Sequence, residues 1–313
     1  MIGNVSQFWR LTRELDIPGL RDSFEHPVSV RVLGSDYRTA ERVARLIDPD
    51  PLTGELGAAL LGEPGRERAD LYVAAVAGPL DQDARRTLNQ LSVGDRPLLL
   101  VQIEGASGVL LLGVPQDRVV TLEATTPDDV AREKILAALV RADPEVALPL
   151  GRRHPLVREA VAEHLIRDTS RVNAQFAALS SLPAMLPLIG GLAGDMADML
   201  VLTKNQVLLL FKLGGLYGRN LELGSELLME VAPVVGGGFL WRTVARSLVG
   251  LLPPLFGLLP KTFVAYTGTF LVGELARYYY RYGRKPSPEI VRELTDEARR
   301  MARNTMSRLR GSN

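Results

Sequence analysis

The stretch Ala69-Asp70-Leu71-Tyr72-Val73-Ala74-Ala75-Val76 turns apolar at Leu71 and stays so through Val76. A strand with one wet face alternates; an unbroken apolar run is the mark of a strand covered on both faces, as in a parallel sheet. A second such run, Leu98-Leu99-Leu100-Val101-Gln102-Ile103, follows Pro97. Outward from these two, Val28 to Leu33 reads as a strand ending at Gly34, and Val119 to Leu122 as a fourth. Helical patterns fall between them: Thr39 to Ile47, closed by Asp48-Pro49-Asp50-Pro51, then Asp81 to Leu91, then a helix opened by Pro127-Asp128-Asp129 and running to Arg141. Strands alternating with helices predict an α/β domain with a parallel sheet. Asn4 to Leu15, with Val5, Phe8, Trp9 and Leu15 on one side, reads as an amphipathic helix ahead of it.

The second half has a different character. Pro144 to Pro155 reads as a junction, and Leu156 to Leu179 as an amphipathic connecting helix with Val157, Val161, Leu165, Val172, Phe176 and Leu179 at helical spacing. From Ser180 to Ala276 there are six cations and six anions in 97 residues, about half the chain-wide charge density, so this stretch must bury itself in something. Glu222, Glu226 and Glu230 are spaced to share one helix face, with Arg242 and Arg246 as candidate partners. The tail from Arg277 to Arg310 carries ten cations and four anions, a net of +6. With the whole chain at +1, Met1 to Leu179 carries −5. The expected layout is an N-terminal helical segment (1–27), an α/β domain (28–143), a linker and connecting helix (144–180), an all-α apolar domain (181–285) and a basic helix (286–313).

Composition excludes several chemistries. The chain has no cysteine and three histidines, His26, His154 and His164, none at metal-ligand spacing. Thiol catalysis and cysteine-based zinc sites are therefore out, and a histidine metal centre is not expected. A net charge near zero gives no electrostatic case for nucleic acid. The first residues lack the charged-then-apolar pattern of a secretory signal, so a cytoplasmic start is the default.

The order and wording of Val28 to Arg141 resemble an Era-like GTPase domain. Ala69 to Val73 resembles the strand after the switch region. Pro97 to Gly105 resembles the strand that delivers the guanine-reading Asn-Lys-x-Asp, and Val119 to Ala124 the strand ending in Ser-Ala. The family's chemistry is missing. A phosphate loop needs G-x-x-x-x-G-K-[ST], whose backbone amides and lysine hold the phosphates. Counted from Gly34, the second glycine, the lysine and the hydroxyl residue are Thr39, Ala40 and Glu41. Gln102, Ile103 and Gly105 stand at the base-reading positions, and Glu123-Ala124 replaces Ser-Ala. About twenty residues (Asp48 to Ala69) separate the first helix from the next strand, too few for full switch regions. The resemblance thus implies a degenerate, pseudo-GTPase head with no catalytic residues, no cofactor and no metal. An unrelated small α/β domain that never bound nucleotide is the alternative.

Leu156 to Tyr282 resembles the bacterial domain of unknown function 697. Asn173-Ala174, Leu182-Pro183, Pro187, Ala197-Asp198, Leu202-Thr203-Lys204-Asn205-Gln206 and Tyr217-Gly218 carry the resemblance. It singles out Asp198, Thr203, Lys204, Asn205 and Gln206 as motif residues, and implies a membrane setting. No uncharged run reaches the ~18 residues of a spanning helix. Leu248 to Ala276 could instead form a hairpin turning at Lys261, followed by an interfacial belt of Arg277, Tyr278, Tyr279, Tyr280, Arg281, Arg284 and Lys285. Ser287-Pro288 then opens a basic helix whose Ile290, Val291, Leu294, Ala298 and Met301 form a stripe. The expected function is a non-enzymatic protein at the cytoplasmic membrane with a cytoplasm-facing docking or regulatory head. Its expected partners are membrane lipid and a protein, a GTPase being one candidate. The alternatives are a soluble cytoplasmic scaffold for a partner GTPase and a cryptic nucleotide-binding protein.

Overall fold

Val30, Val32, Leu71, Val73, Leu99 and Val101 are buried with at most 1% exposure, at the centre of a five-stranded parallel sheet. A computed structural model describes residues 15–50, 56–62, 68–104, 114–179, 192–235 and 259–311; at 192–200, 225, 259–261 and 305–311 only the backbone is described. The strands are β1 (Val30–Gly34), β2 (Leu56–Leu60), β3 (Leu71–Ala77), β4 (Leu98–Ile103) and β5 (Val119–Leu122), in the order β2-β1-β3-β4-β5. Every pairing is parallel: Val30 lies opposite both Leu56 and Leu71, Tyr72 opposite Leu98, and Leu100 opposite Val119.

The chain divides into two units, Asp22–His164, and Met1–Arg21 with Leu165–Asn313. The first unit begins in helix α1 (Ile17–Glu25), whose Phe24 is fully buried. Its other helices are α2 (Tyr37–Ile47), α3 (Gln82–Ser92), α4 (Asp128–Ala142) and α5 (Pro144–Arg153). Asp36, Asp81 and Asp143 cap α2, α3 and α5, each accepting backbone N–H bonds that a helix start otherwise leaves unmet. Four of the five strands and three of the helices follow the sequence reading to within about two residues at each end. Two elements do not. Strand β2 lies inside the interval read as a plain connection; Leu56-Gly57-Ala58-Ala59-Leu60 has no β-branched or aromatic residue to announce a strand. The Pro144–Pro155 junction is in fact α5, with Ala147 and Leu150 fully buried, so it belongs to the first unit's core rather than to a linker. Its proline at N1 and Asp143 cap start a helix that the interior Pro149 disguises in the sequence.

The second unit holds most of α6 (Pro155–Leu179), with α7 (Leu192–Leu216), α8 (Ser225–Val235), α9 (Leu259–Tyr282) and α10 (Pro288–Gly311). Helix α9 packs on α7, α8 and α10. Gly273 of α9 permits the closest approach: a Cβ there would lie 2.7 Å from Ile166 of α6 and 3.2 Å from Leu209 of α7. Serine 287 caps α10 through Ile290 N–H at 3.5 Å, as expected. The buried side of α10 is Thr295, Ala298 and Ala302, and Ile290, Val291, Leu294 and Met301 flank it half-buried. Lys261 sits in the first turn of α9, so residues 259–276 are one arm of the expected hairpin; the other arm, like the Asn4–Leu15 helix, Arg242 and Arg246, lies outside the described residues. No helix among the described residues is long and apolar enough to cross a membrane.

Candidate functional sites

In a doubly wound sheet, ligands bind beyond the carboxyl ends of the strands where the connections diverge. Here that point lies between β1 and β3: from β1 the chain moves out to β2, and from β3 it moves the other way to β4. Ser35, just past β1, closes it. Its N–H donates to Ala75 O at 2.9 Å, its Oγ to Ala77 O at 3.2 Å, and Ala77 N–H returns a bond to that Oγ at 3.0 Å. Gly34 lets the turn pass tightly, because a Cβ there would fall 2.5 Å from Asp36 O and 2.6 Å from Ala40 N.

The amino end of α2 is where a phosphate loop would place its anion. The Asp36 carboxylate occupies it, accepting Thr39 N–H at 2.9 Å and Thr39 Oγ1–H at 2.6 Å. These bonds, led by the Thr39 hydroxyl, hold the Asp36 carboxyl below the usual carboxylate range. At the neighbouring end of β4 and β5, the Glu104 carboxylate accepts Ala124 N–H at 3.3 Å. Ala124 is the position that the sequence aligned with the Ser-Ala base contact. Arg42 is turned toward Asp128, at 2.9 Å, and Thr126 O, at 3.3 Å.

A second polar feature in this unit was not anticipated. His154 Nδ1 lies 2.6 Å from Asp48 Oδ2, both residues buried, and Asp48 Oδ1 accepts Asp50 N–H at 3.2 Å. Asp48 and His154 end α2 and α5, and each precedes a proline, which bars its residue from the helical region. Those two X-Pro steps were the available sequence signal for helix ends; their meeting across 106 positions was not legible.

In the helical unit, part of the Leu202-Thr203-Lys204-Asn205-Gln206 run converges with Asn173. The fully buried Asn173 donates from Nδ2 to Thr269 Oγ1 at 2.9 Å and accepts Asn205 Nδ2–H at 2.7 Å; Gln206 Nε2 donates to the same Thr269 Oγ1 at 3.1 Å. Three helices, α6, α7 and α9, are thus joined by one amide and hydroxyl ladder. Thr203 and Lys204 lie half-buried beside it on α7. Asp198 is in the same helix, but its side chain is outside the described residues. Thr269 is one of three threonines in α9, with Thr262 and Thr267, and nothing in the sequence distinguishes it.

The expected belt separates into inside and outside. Tyr280 is buried, 5% exposed, with the Arg219 guanidinium 5.8 Å from its ring centroid and no hydrogen-bond partner for its hydroxyl among the described residues. Burial pushes its phenol up, as the Glu230 carboxylate also does. Tyr279, half-buried, is raised by desolvation and by its contact with Glu230, which pairs with Arg219 at 3.5 Å. Tyr280 therefore leaves the set of interface candidates. Arg277 meets Glu274 at 3.2 Å, and Tyr278 packs against Tyr282 at 4.7 Å between centroids. Arg281, Arg284 and Lys285 are exposed, Arg281 lying over Tyr282. The three glutamates do not share a helix face: Glu222 falls in a 3-10 turn before α8 and pairs with Arg21 at 2.6 Å.

Set against known protein families, curated proteins and solved structures, the chain matches none.

Proposed function

We propose that this is a non-enzymatic, membrane-associated protein whose α/β unit is a pseudo-GTPase docking or regulatory module. The carrying observation is the Asp36 carboxylate at the amino end of α2. A nucleotide phosphate needs those N–H donors free and positive potential around them. Here a fixed anion holds Thr39 N–H, and Glu41 stands two residues on. A polyphosphate would have to expel one carboxylate and settle among others. The Glu104 bond to Ala124 N–H works in the same direction at the base position. The unit's work is then recognition of a partner protein, for which a GTPase is the candidate class suggested by its own likeness.

Membrane association draws on the helical unit. Twelve charges in residues 180–276 leave long apolar stretches, and the exposed Arg281, Arg284 and Lys285 offer attraction to anionic lipid. A rival reading, a soluble scaffold for a partner GTPase, draws on α10, whose Arg292, Glu293, Asp296, Arg300 and Arg303 are exposed. Fractionating cells, and purifying the full chain with and without detergent, separates the two. Recovery in the membrane pool and loss of solubility without detergent are expected; a fully soluble pool overturns the membrane half of the reading.

A further inference from the structure

Strand β2 is one edge of the sheet, paired on its inner side with β1, Ala58 opposite Val32. Just beyond it, Leu61 N–H donates to Gly34 O at 2.9 Å. Backbone groups of successive strand residues point to alternate sides. Gly57, Ala59 and Leu61 therefore face β1, while Leu56, Ala58 and Leu60 turn their N–H and C=O groups outward. Among the described residues no hydrogen bond uses those outward groups. Natural sheets blunt such an edge with charge, proline or a bulge, because an open edge pairs with another strand. Leu56-Gly57-Ala58-Ala59-Leu60 has no charge and no proline, its register with β1 is unbroken, and Gly57 to Leu60 are only half-buried.

The edge is its own complement. Turned over about Ala58, outward groups at 56, 58 and 60 fall on outward groups at 60, 58 and 56. In an antiparallel pair of two copies, Ala58 lies opposite Ala58 and Leu56 opposite Leu60, each exchanging both N–H···O=C bonds. The half-buried Leu60 then gains an apolar neighbour, and only a methyl group stands at the axis.

Helix α2 carries a matching pattern. It packs chiefly on β1 and β2, whereas α4 packs on β4 and β5. A Cβ on Gly34 would lie 2.6 Å from Ala40 N, so these two residues are level. From there α2 descends about 1.5 Å per residue and β1 about 3.3 Å. Ala44 thus stands at the height of Val32, and so of Ala58. Arg42 leans toward α4, where it meets Asp128 at 2.9 Å. Glu41 is on the opposite flank, toward the open edge, and pairs with the exposed Arg45 at 2.7 Å. Glu41 lies above the height of Ala58 and Arg45 just below it. A two-fold axis at Ala58 exchanges above for below, and so brings Glu41 of each copy toward Arg45 of the other. With strands ~4.8 Å apart, the two α2 helices stand about 10 Å apart, an ordinary distance for packed helices.

We infer that the open edge of β2 is a homodimer interface: two copies of this chain joined by antiparallel β2–β2 pairing, their α2 helices side by side and Glu41 paired with Arg45 across the axis. This goes beyond the docking and membrane readings and depends on neither.

The test uses the full chain in a mild detergent. The wild type is expected to sediment as a dimer under density-matched conditions. Ala58→Pro removes an outward N–H and leaves the ladder to β1 intact. It is expected to weaken the dimer about tenfold or more, with circular dichroism and thermal midpoint near those of the wild type. Glu41→Arg alone is expected to weaken the dimer, and Glu41→Arg with Arg45→Glu to restore it, a rescue that a merely misfolded variant would not show. The chain has no cysteine, so single reporters are clean. Cα atoms of a hydrogen-bonded pair lie about 5.5 Å apart, within disulfide reach. Oxidation is therefore expected to link Ala58→Cys into dimers, and Thr121→Cys, exposed on the other edge strand, far less. A wild type that is monomeric at every concentration overturns the inference and leaves the edge to a strand of another protein. A dimer indifferent to both Ala58→Pro and Glu41→Arg, or linked as readily at 121 as at 58, overturns it as well.

Discussion

Asn173 has no exposed surface, and its amide meets Asn205 on one side and Thr269 on the other. Removing a buried partner costs the desolvation of the groups it abandons. Asn173→Ala is expected to lower stability by about 2 kcal/mol, and Thr269→Val added to it by less than its separate effect, since the two share one network. Urea unfolding of the single and double variants measures both. Tyr280 presents the opposite case. Its hydroxyl is buried without a partner among the described residues, so Tyr280→Phe is expected to be neutral or to stabilise by about 1 kcal/mol; a large loss would mean that the hydroxyl has a function. At the other unit's core, His154→Ala strips Asp48 of its buried partner and is expected to cost about 3 kcal/mol, read as a fall in the same denaturant midpoint.

At the scale of elements, the cap of α2 makes a pH-dependent contribution. The folded Asp36 carboxyl is held below its unfolded value, so its stabilisation is present above the ordinary carboxylate pKa and is lost as pH falls through the folded one. Asp36→Ala is expected to cost about 1 kcal/mol at neutral pH. The difference from wild type should shrink in acid. Equal stability of the two proteins at neutral pH would contradict the cap. Most of this domain was legible because its signals are local. Continuous apolar runs marked β3 and β4, and Pro127 followed by two aspartates marked α4. Strand β2 was not, because Leu-Gly-Ala-Ala-Leu owes its strand state to pairing with β1 rather than to propensity. The α6 stripe failed for a related reason. Periodicity counts apolar residues, but beyond Ile166 this helix buries small and polar ones that find hydrogen bonds, and leaves Val172 and Leu179 outside.

For the whole molecule, the site positions named from sequence divided by what surrounds them. Asn205 and Gln206 came together with Asn173, a convergence across three helices that no spacing along the chain foretells. The expected tyrosine belt split, because a helix that looks interfacial along its length still turns one face, that of Tyr280, into its neighbours. That the residues from Gly34 to Glu41 lack a phosphate-loop pattern was visible in the sequence; that Asp36 fills the amino end of α2 required the geometry. The central claim, that the α/β unit is closed to nucleotide by its own carboxylates, is tested most directly by titration calorimetry. The full chain is titrated with Mg²⁺-GTP and Mg²⁺-GDP at neutral pH. No saturable heat is predicted for either, and binding in the micromolar range would contradict the account.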